Sequence, residues 1–190
     1  MQPDADLETL MVRYQQGDSA AATALVNCLS PLLHRYFMVQ SVSRRYADDL
    51  LQETWLRIHQ VRHTYRRGEP VRPWLYAIAR HVRVDHYRKA RRAEMREQQV
   101  EEWPEIPAAA AGRSGKVPDL AELLATLPDS QREVIAMLKV LNMSLEEVAR
   151  ATSSSIGSVK QKAHRAYTKL RERLTGMGFS RVDLGDRRER

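Results

Sequence analysis

Apolar residues recur at spacings of three and four along most of this chain, and no stretch alternates β-branched with polar residues. The first pattern lays a stripe along a helix, and without the second the ordinary signature of a strand is missing. The expected fold class is all-α. Proline and glycine then indicate how many bodies the helices form. Pro31 is the only proline between Gln15 and His63, and a short punctuated stretch runs from Arg66 to Pro73. Pro104, Pro107, an alanine run, Gly112, Gly115 and Pro118 crowd a segment with no amphipathic period, which reads as a linker. The expected organisation is two small helical bundles joined by that flexible linker. The first spans residues 1–95, the acidic Pro/Ala-rich linker 96–117, the second bundle 118–176, and a frayed tail 177–190.

Composition narrows the classes. With 43% hydrophobic and 29% charged residues among 190, the chain can build packed cores. Its net charge of +7 favours an anionic partner. Cys28 is the single cysteine, which excludes an intrachain disulfide and a cysteine-rich zinc site. It sits beside Val26 and Leu29, and burial is expected for it. No apolar run approaches the ~18 residues of a membrane span, and the first eight residues are acidic rather than signal-like, so a cytoplasmic protein without membrane insertion is expected. Charge is unevenly placed. Residues 57–92 carry eleven Lys/Arg against Glu69 and Asp85, residues 156–175 six against Glu172, and residues 97–111 four acids with no base. Two basic patches flank an acidic tether.

The sharpest motif runs from Ser144 to Lys160. Ser144 followed by Glu147 is a capping box, and Leu145, Val148 and Ala149 form the inner side of a short helix. Thr152-Ser153-Ser154-Ser155 breaks it, because short hydroxyl side chains compete for backbone hydrogen bonds. Ser154 or Ser155 can cap a second helix whose inward stripe is Ile156, Val159, Ala163, Ala166, Leu170 and Leu174. Its other face carries Ser158, Lys160, Gln161, His164 and Arg165. Two helices joined this way form a helix-turn-helix, whose second helix lies in the major groove. Lys and Arg suit guanine acceptors or phosphates there, and Gln suits adenine. The segment Leu127–Leu138 supplies a supporting helix, with Asp129 or Ser130 as its expected cap.

Two segments carry the N-terminal half. In Asp48–Ile58, Leu51, Trp55 and Ile58 line one face, while Asp48, Asp49, Gln52 and Glu53 form an acidic exposed edge. In Trp74–Lys89, Leu75, Ile78, Ala79 and Val82 turn inward, and Tyr76, Arg80, Arg83 and Tyr87 share another face. Rings interleaved with guanidinium groups suit single-stranded DNA, where arginine neutralises phosphate and rings stack on bases for about 1–3 kcal/mol each.

Asp48-Asp49-Leu50-Leu51-Gln52-Glu53-Thr54-Trp55-Leu56, then Pro73-Trp74-Leu75-Tyr76-Ala77-Ile78-Ala79-Arg80, then Leu127-Pro128 before a helix-turn-helix: this ordered set resembles the extracytoplasmic-function (ECF) bacterial sigma factors, from about Leu7 to Leu174. The resemblance implies that the first bundle binds the clamp helices of RNA polymerase core and opens the minus-ten element. The second would bind the minus-thirty-five element and the polymerase flap. It places Asp48, Asp49, Gln52 and Glu53 on the polymerase-binding helix, and the loop from about His63 to Arg72 where a flipped base is read. Tyr65, Arg66, Arg67, Trp74, Tyr76, Arg80, His81, Arg83, Tyr87 and Arg88 fall on the melting and minus-ten surface. Ser155, Ser158, Lys160, Gln161, His164 and Arg165 fall on the minus-thirty-five helix. The implied partners are RNA polymerase core, promoter DNA and an anti-sigma factor. His81 stands where the family usually has Asn, and Ser153 where the turn usually has Gly. A linker of about 22 residues at up to ~3.3 Å each spans some 70 Å, two turns of DNA, so both bundles can reach one promoter.

Rival readings explain less. A stand-alone helix-turn-helix regulator accounts for the C-terminal half alone. An enzyme would draw on His59, His63, His81, Asp85 and His86, yet no zincin motif or Gly-rich phosphate loop accompanies them. No cofactor or metal is called for. An adaptor bound to membrane through Arg187, Arg188 and Arg190 is weakened by the acids in the same tail.

Overall fold

The computed structural model describes residues 3–40, 44–97 and 120–177. Helix α1 spans Pro3–Gln15, α2 Ser19–Gln40, α3 Arg44–Val61 and α4 Val71–Glu97, with a 3₁₀ turn at Arg62–Thr64 after α3. The second half holds α5 (Leu120–Ala125), α6 (Asp129–Ile135), a π-helical continuation Ala136–Val140, α7 (Leu145–Ala151) and α8 (Ile156–Gly176). No strand occurs among the described residues.

Local chemistry explains the boundaries. Gly17, at φ +90°, closes α1 in a left-handed conformation that a side chain would strain. Asp18 then accepts hydrogen bonds from the amides of Ala20 and Ala21 at 2.9 and 3.0 Å, satisfying two orphan donors at the start of α2. Helix α4 begins three residues before the expected Trp74. Pro73 fits inside its first turn because amides there have no intrahelical partner. Helix α6 departs from expectation. Neither Asp129 nor Ser130 caps it; Pro128 takes the N-cap position, and its carbonyl accepts from the amides of Gln131 and Arg132 at 2.9 Å. The Ser144–Glu147 capping box is present as expected. Ser155 caps α8, accepting from the amide of Ser158 at 3.2 Å.

Helices α1 to α4 pack as one bundle and α5 to α8 as another, and the two bundles are joined face to face. Helix α4 lies along α7, and α2 touches α5, α6 and the π-helical segment. Leu33, Tyr36, Phe37 and Tyr76 of the first bundle share a continuous core with Leu124, Val134 and Met137 of the second. Helix α4 runs through the first two positions of the expected linker, and residues 98–117 lie outside the described residues, as does the expected tail beyond Met177.

Two burial expectations are corrected. Cys28 is exposed, because the buried face of α2 runs through Leu25, Leu29 and Leu33. Ile156 is 40% exposed, since the first residue of α8 stands beyond the edge of the core its stripe enters at Val159.

Candidate nucleic-acid interface

On α3, Asp48, Asp49, Gln52 and Glu53 are all exposed, as their spacing requires. Asp48 lies 3.1 Å from His34 Nε2 of α2. The buried side of α3 is Leu50, Thr54 and Ile58, with Leu51 and Trp55 at its margin, and the Trp55 indole donates to Ser30 at 2.9 Å. Leu56, one turn beyond Gln52, is 61% exposed. The sequence pattern did not single out this open apolar side chain beside the acidic edge.

The turn after α3 is held rigidly. Gln15 donates to the carbonyls of Arg62 and Tyr65 at 2.7 and 2.9 Å, and the Gly68 amide donates to Glu8 at 2.8 Å. Gly68 adopts φ +86° there. Tyr65 is buried: its hydroxyl donates to the Glu69 carbonyl, and its ring meets Trp74 edge-on at 5.6 Å. Burial, followed by the nearby Glu8 and Glu69 charges, pushes the Tyr65 phenol up to about 12. Tyr65, expected among the DNA contacts, is therefore a strut beneath the loop, while Arg66 and Arg67 project from it. A cavity of about 300 Å³ opens between this loop and α4, with Tyr65, Pro70 and Trp74 in its wall. Arg150 of α7 reaches across from the other bundle to Glu69 at 3.1 Å and closes one side.

The expected ring-and-arginine stripe on α4 divides in two. His81, Tyr87 and Arg88 are exposed, and Tyr87 is open to 62%. Tyr76, expected on the DNA face, is fully buried beside Tyr36, with ring centroids 5.5 Å apart, and its hydroxyl finds no hydrogen-bond partner. Arg80 and Arg83 turn to the second bundle. Arg80 Nε donates to Glu133 Oε2 at 3.2 Å, and Arg83 Nη2 donates to Glu133 Oε1 at 3.3 Å. The Tyr36 hydroxyl donates to the same Oε1 at 3.0 Å. Burial lowers the tendency of Arg83 to hold its proton, but the Tyr36 and Glu133 contacts outweigh it and raise the pKa. Burial pushes the Tyr36 phenol far up, reinforced by the Glu133 charge.

Neither Tyr36 nor Glu133 stood out in the sequence. Glu133 sits in a run, Ser130-Gln131-Arg132-Glu133, that reads as a solvated helix face.

In the helix-turn-helix, Ser153 stands where glycine is usual and still takes the left-handed conformation, at φ +50°, so the turn is not reshaped by its side chain. Val159, Ala163 and Ala166 face inward, leaving Lys160, Gln161, His164 and Arg165 exposed along α8. Ser158 is half-buried, and Ser155 is occupied as the cap. The arrangement gives one helix with a polar, basic outer face on a rigid support, which is what major-groove entry needs.

The two halves match known families separately. Residues 25–93 match Sigma-70 region 2, and residues 119–170 match Sigma-70, region 4. The chain is 33% identical over 169 residues to the ECF RNA polymerase sigma factor SigF of Caulobacter vibrioides, covering 88% of this chain and 93% of that protein. This chain is an ECF RNA polymerase sigma factor. This sigma factor is also 33% identical to SigD of Mycobacterium tuberculosis over 90% of its length and 85% of the relative's. Among solved structures, CnrH in complex with the cytosolic domain of CnrY has the same fold, with a TM-score of 0.69 at 23% identity over 90% of this chain and 98% of that one. The sigma factor RpoE of Bartonella quintana, solved with the anti-sigma factor NepR, superposes with a TM-score of 0.66 at 25% identity over 80% of this chain and 96% of that one. Like its family, the sigma factor directs promoter-specific initiation by RNA polymerase, binding the polymerase and promoter DNA, and the stand-alone regulator is not favoured.

Among the described residues no group of three or more His, Cys, Asp or Glu side chains is placed to hold a metal ion, and no described helix is long and apolar enough to cross a membrane.

Proposed function

We propose a division of labour among three surfaces. The acidic edge of α3 (Asp48, Asp49, Gln52, Glu53), with Leu56 beside it, docks on the polymerase clamp helices. The loop after α3 and the outer face of α4, through Arg66, Arg67, Trp74, His81, Tyr87 and Arg88, captures the opened minus-ten strand. Lys160, Gln161, His164 and Arg165 of α8 read the minus-thirty-five element. The observation that carries this reading is the order of exposed surfaces: an acidic helix edge, a basic aromatic face, then a recognition helix with a free basic side. Opening DNA costs a few kcal/mol per unstacked step, and captured bases offset it.

The protein works in the cytoplasm, without catalysing a bond-making step of its own. An anti-sigma factor holds it inactive by covering both bundles while they are stacked. The RpoE–NepR pair, a sigma factor held by an anti-sigma factor, supports this reading. The test is transcription reconstituted with purified polymerase core, with start sites mapped on a genomic library. New start sites sharing a spaced pair of motifs are expected. Failure to bind core or to redirect its starts would overturn the proposal.

A further inference from the structure

We infer that Tyr36, Arg80 and Arg83 form a binding site for a backbone phosphodiester of the opened DNA strand, and that Glu133 occupies this site as an internal competitor while the bundles are closed. The inference deepens the reading above and rests on it.

Three donors from α2 and α4 converge on a single carboxylate that is 4% exposed and comes from the opposite bundle. Two forked guanidinium groups and a hydroxyl around one pair of oxygens are also the donor set that suits a phosphodiester, which offers two non-bridging anionic oxygens. The cradle has more donors than the carboxylate uses. Arg83 Nε is buried without a partner, and so is the hydroxyl of Tyr76 beside Tyr36. Buried orphan donors disfavour a structure, and a face that bonds a strand in its open state accounts for them.

The cradle does not end at the pocket. Arg80 and Arg83 stand one turn apart on α4, and the same stripe runs outward to Tyr87, with Arg88 next to it in the chain, both exposed. A free small anion would need only the pocket; a strand continuing past it would use the rest of the stripe. The Arg150–Glu69 pair closes the loop cavity from the same side, so the second bundle covers both places where the strand is expected to lie. Binding of the strand and closure of the bundles are then mutually exclusive, and each must weaken the other by the same factor.

The full-length protein carries the test. Dyes on the native, exposed Cys28 of α2 and on Thr168→Cys of α8 report the distance between bundles. The probe is a fluorescein-labelled dT20 oligonucleotide, without polymerase. Glu133→Gln keeps the size of the side chain and removes its charge. It is expected to lower energy transfer and tighten dT20 binding about tenfold, equivalent to ~1.4 kcal/mol. Tyr36→Phe and Arg83→Ala in the Glu133→Gln background should reverse most of that gain, and an oligonucleotide with neutral methylphosphonate linkages should show none of it. In the unsubstituted protein, saturating dT20 should itself lower energy transfer, a readout that does not depend on any cradle variant folding.

Opening without tighter binding would remove the phosphate site. Unchanged transfer and unchanged affinity would remove Glu133 as competitor. dT20 bound to a closed protein would refute mutual exclusion, and opening by inorganic phosphate alone at matched ionic strength would refute the nucleic-acid assignment. Failure of reconstituted transcription, with these results as expected, would strike the promoter reading and leave the cradle standing.

Discussion

Two of the ion pairs that bridge the bundles, Glu133–Arg83 and Glu69–Arg150, should differ sharply in strength, and a pair of double-mutant cycles measures the difference. In Glu133–Arg83 the side chains are 6% and 15% exposed; in Glu69–Arg150 they are 57% and 56% exposed. An exposed pair is screened by water and loses side-chain freedom, so Glu69–Arg150 should contribute about 0–1 kcal/mol. Truncating one partner of a buried pair leaves a desolvated charge behind and costs about 3–5 kcal/mol. Arg80, at 34% exposure, can rehydrate when Glu133 is removed, which argues for the lower end, about 3 kcal/mol for Glu133→Ala. Two charge-assisted hydrogen bonds and one from a phenol end on this carboxylate. The Glu133/Arg83 coupling should accordingly lie near 1.5–3 kcal/mol, the range for a hydrogen bond to a charged group. Urea unfolding of the single and double variants, followed by circular dichroism, supplies the numbers. Repeating the cycles at ~0.1 M and ~1 M salt, where screening lengths are about 10 and 3 Å, should erase the exposed coupling and spare the buried one. Equal couplings, or a buried coupling that vanishes with salt, would refute the claim that Glu133 is sealed between the bundles.

Asp49→Lys with Glu53→Lys should abolish co-purification with polymerase core while leaving the urea midpoint nearly unchanged, since both side chains are exposed; retained core binding would refute the docking assignment. Ser153→Gly should stabilise the chain by roughly 0.5–1 kcal/mol, because the left-handed penalty of ~1–2 kcal/mol exceeds glycine's extra entropy cost of ~0.5–1; thermal unfolding checks it, and a lower midpoint counts against it. Tyr36, Tyr65 and Tyr76 are all raised above the ordinary phenol value, each chiefly by burial, with Tyr65 at about 12. A raised folded value means stability is fully present below pH ~10 and is lost as pH climbs toward and through the folded values; phenolate absorbance should therefore rise together with unfolding, and smooth titration of all tyrosines in the folded chain would contradict their burial.

The helices and the recognition face were legible because they rest on near neighbours in the chain. Ser144 with Glu147, Ser155 with Ser158, and the Val159–Ala163–Ala166 stripe are contacts within one or two turns, where spacing alone places side chains. The acidic edge of α3 was legible for the same reason. Its packed side was read partly off: Ile58 is buried as expected, but Leu51 and Trp55 lie at the margin and the core takes Leu50 and Thr54 instead. Periodicity gives the direction of a face only to within about one position. Tyr65 and Tyr76 are buried where exposure was expected, because a tyrosine among arginines can stack on a base or fill a core, and only its surroundings distinguish the two.

By itself, the order of residues determined the all-helical architecture, the helix-turn-helix, and a charge layout suited to polymerase and DNA. Helix periodicity, capping and net charge are local or additive properties, so they can be summed along a chain. Only the tertiary structure decided that the bundles close on each other, that Glu133 enters the cradle of Tyr36, Arg80 and Arg83, and that Arg150 reaches Glu69. Those contacts join residues separated by 50 to 97 positions. No sequence period connects residues so far apart, because their meeting depends on how whole helix faces exclude water together.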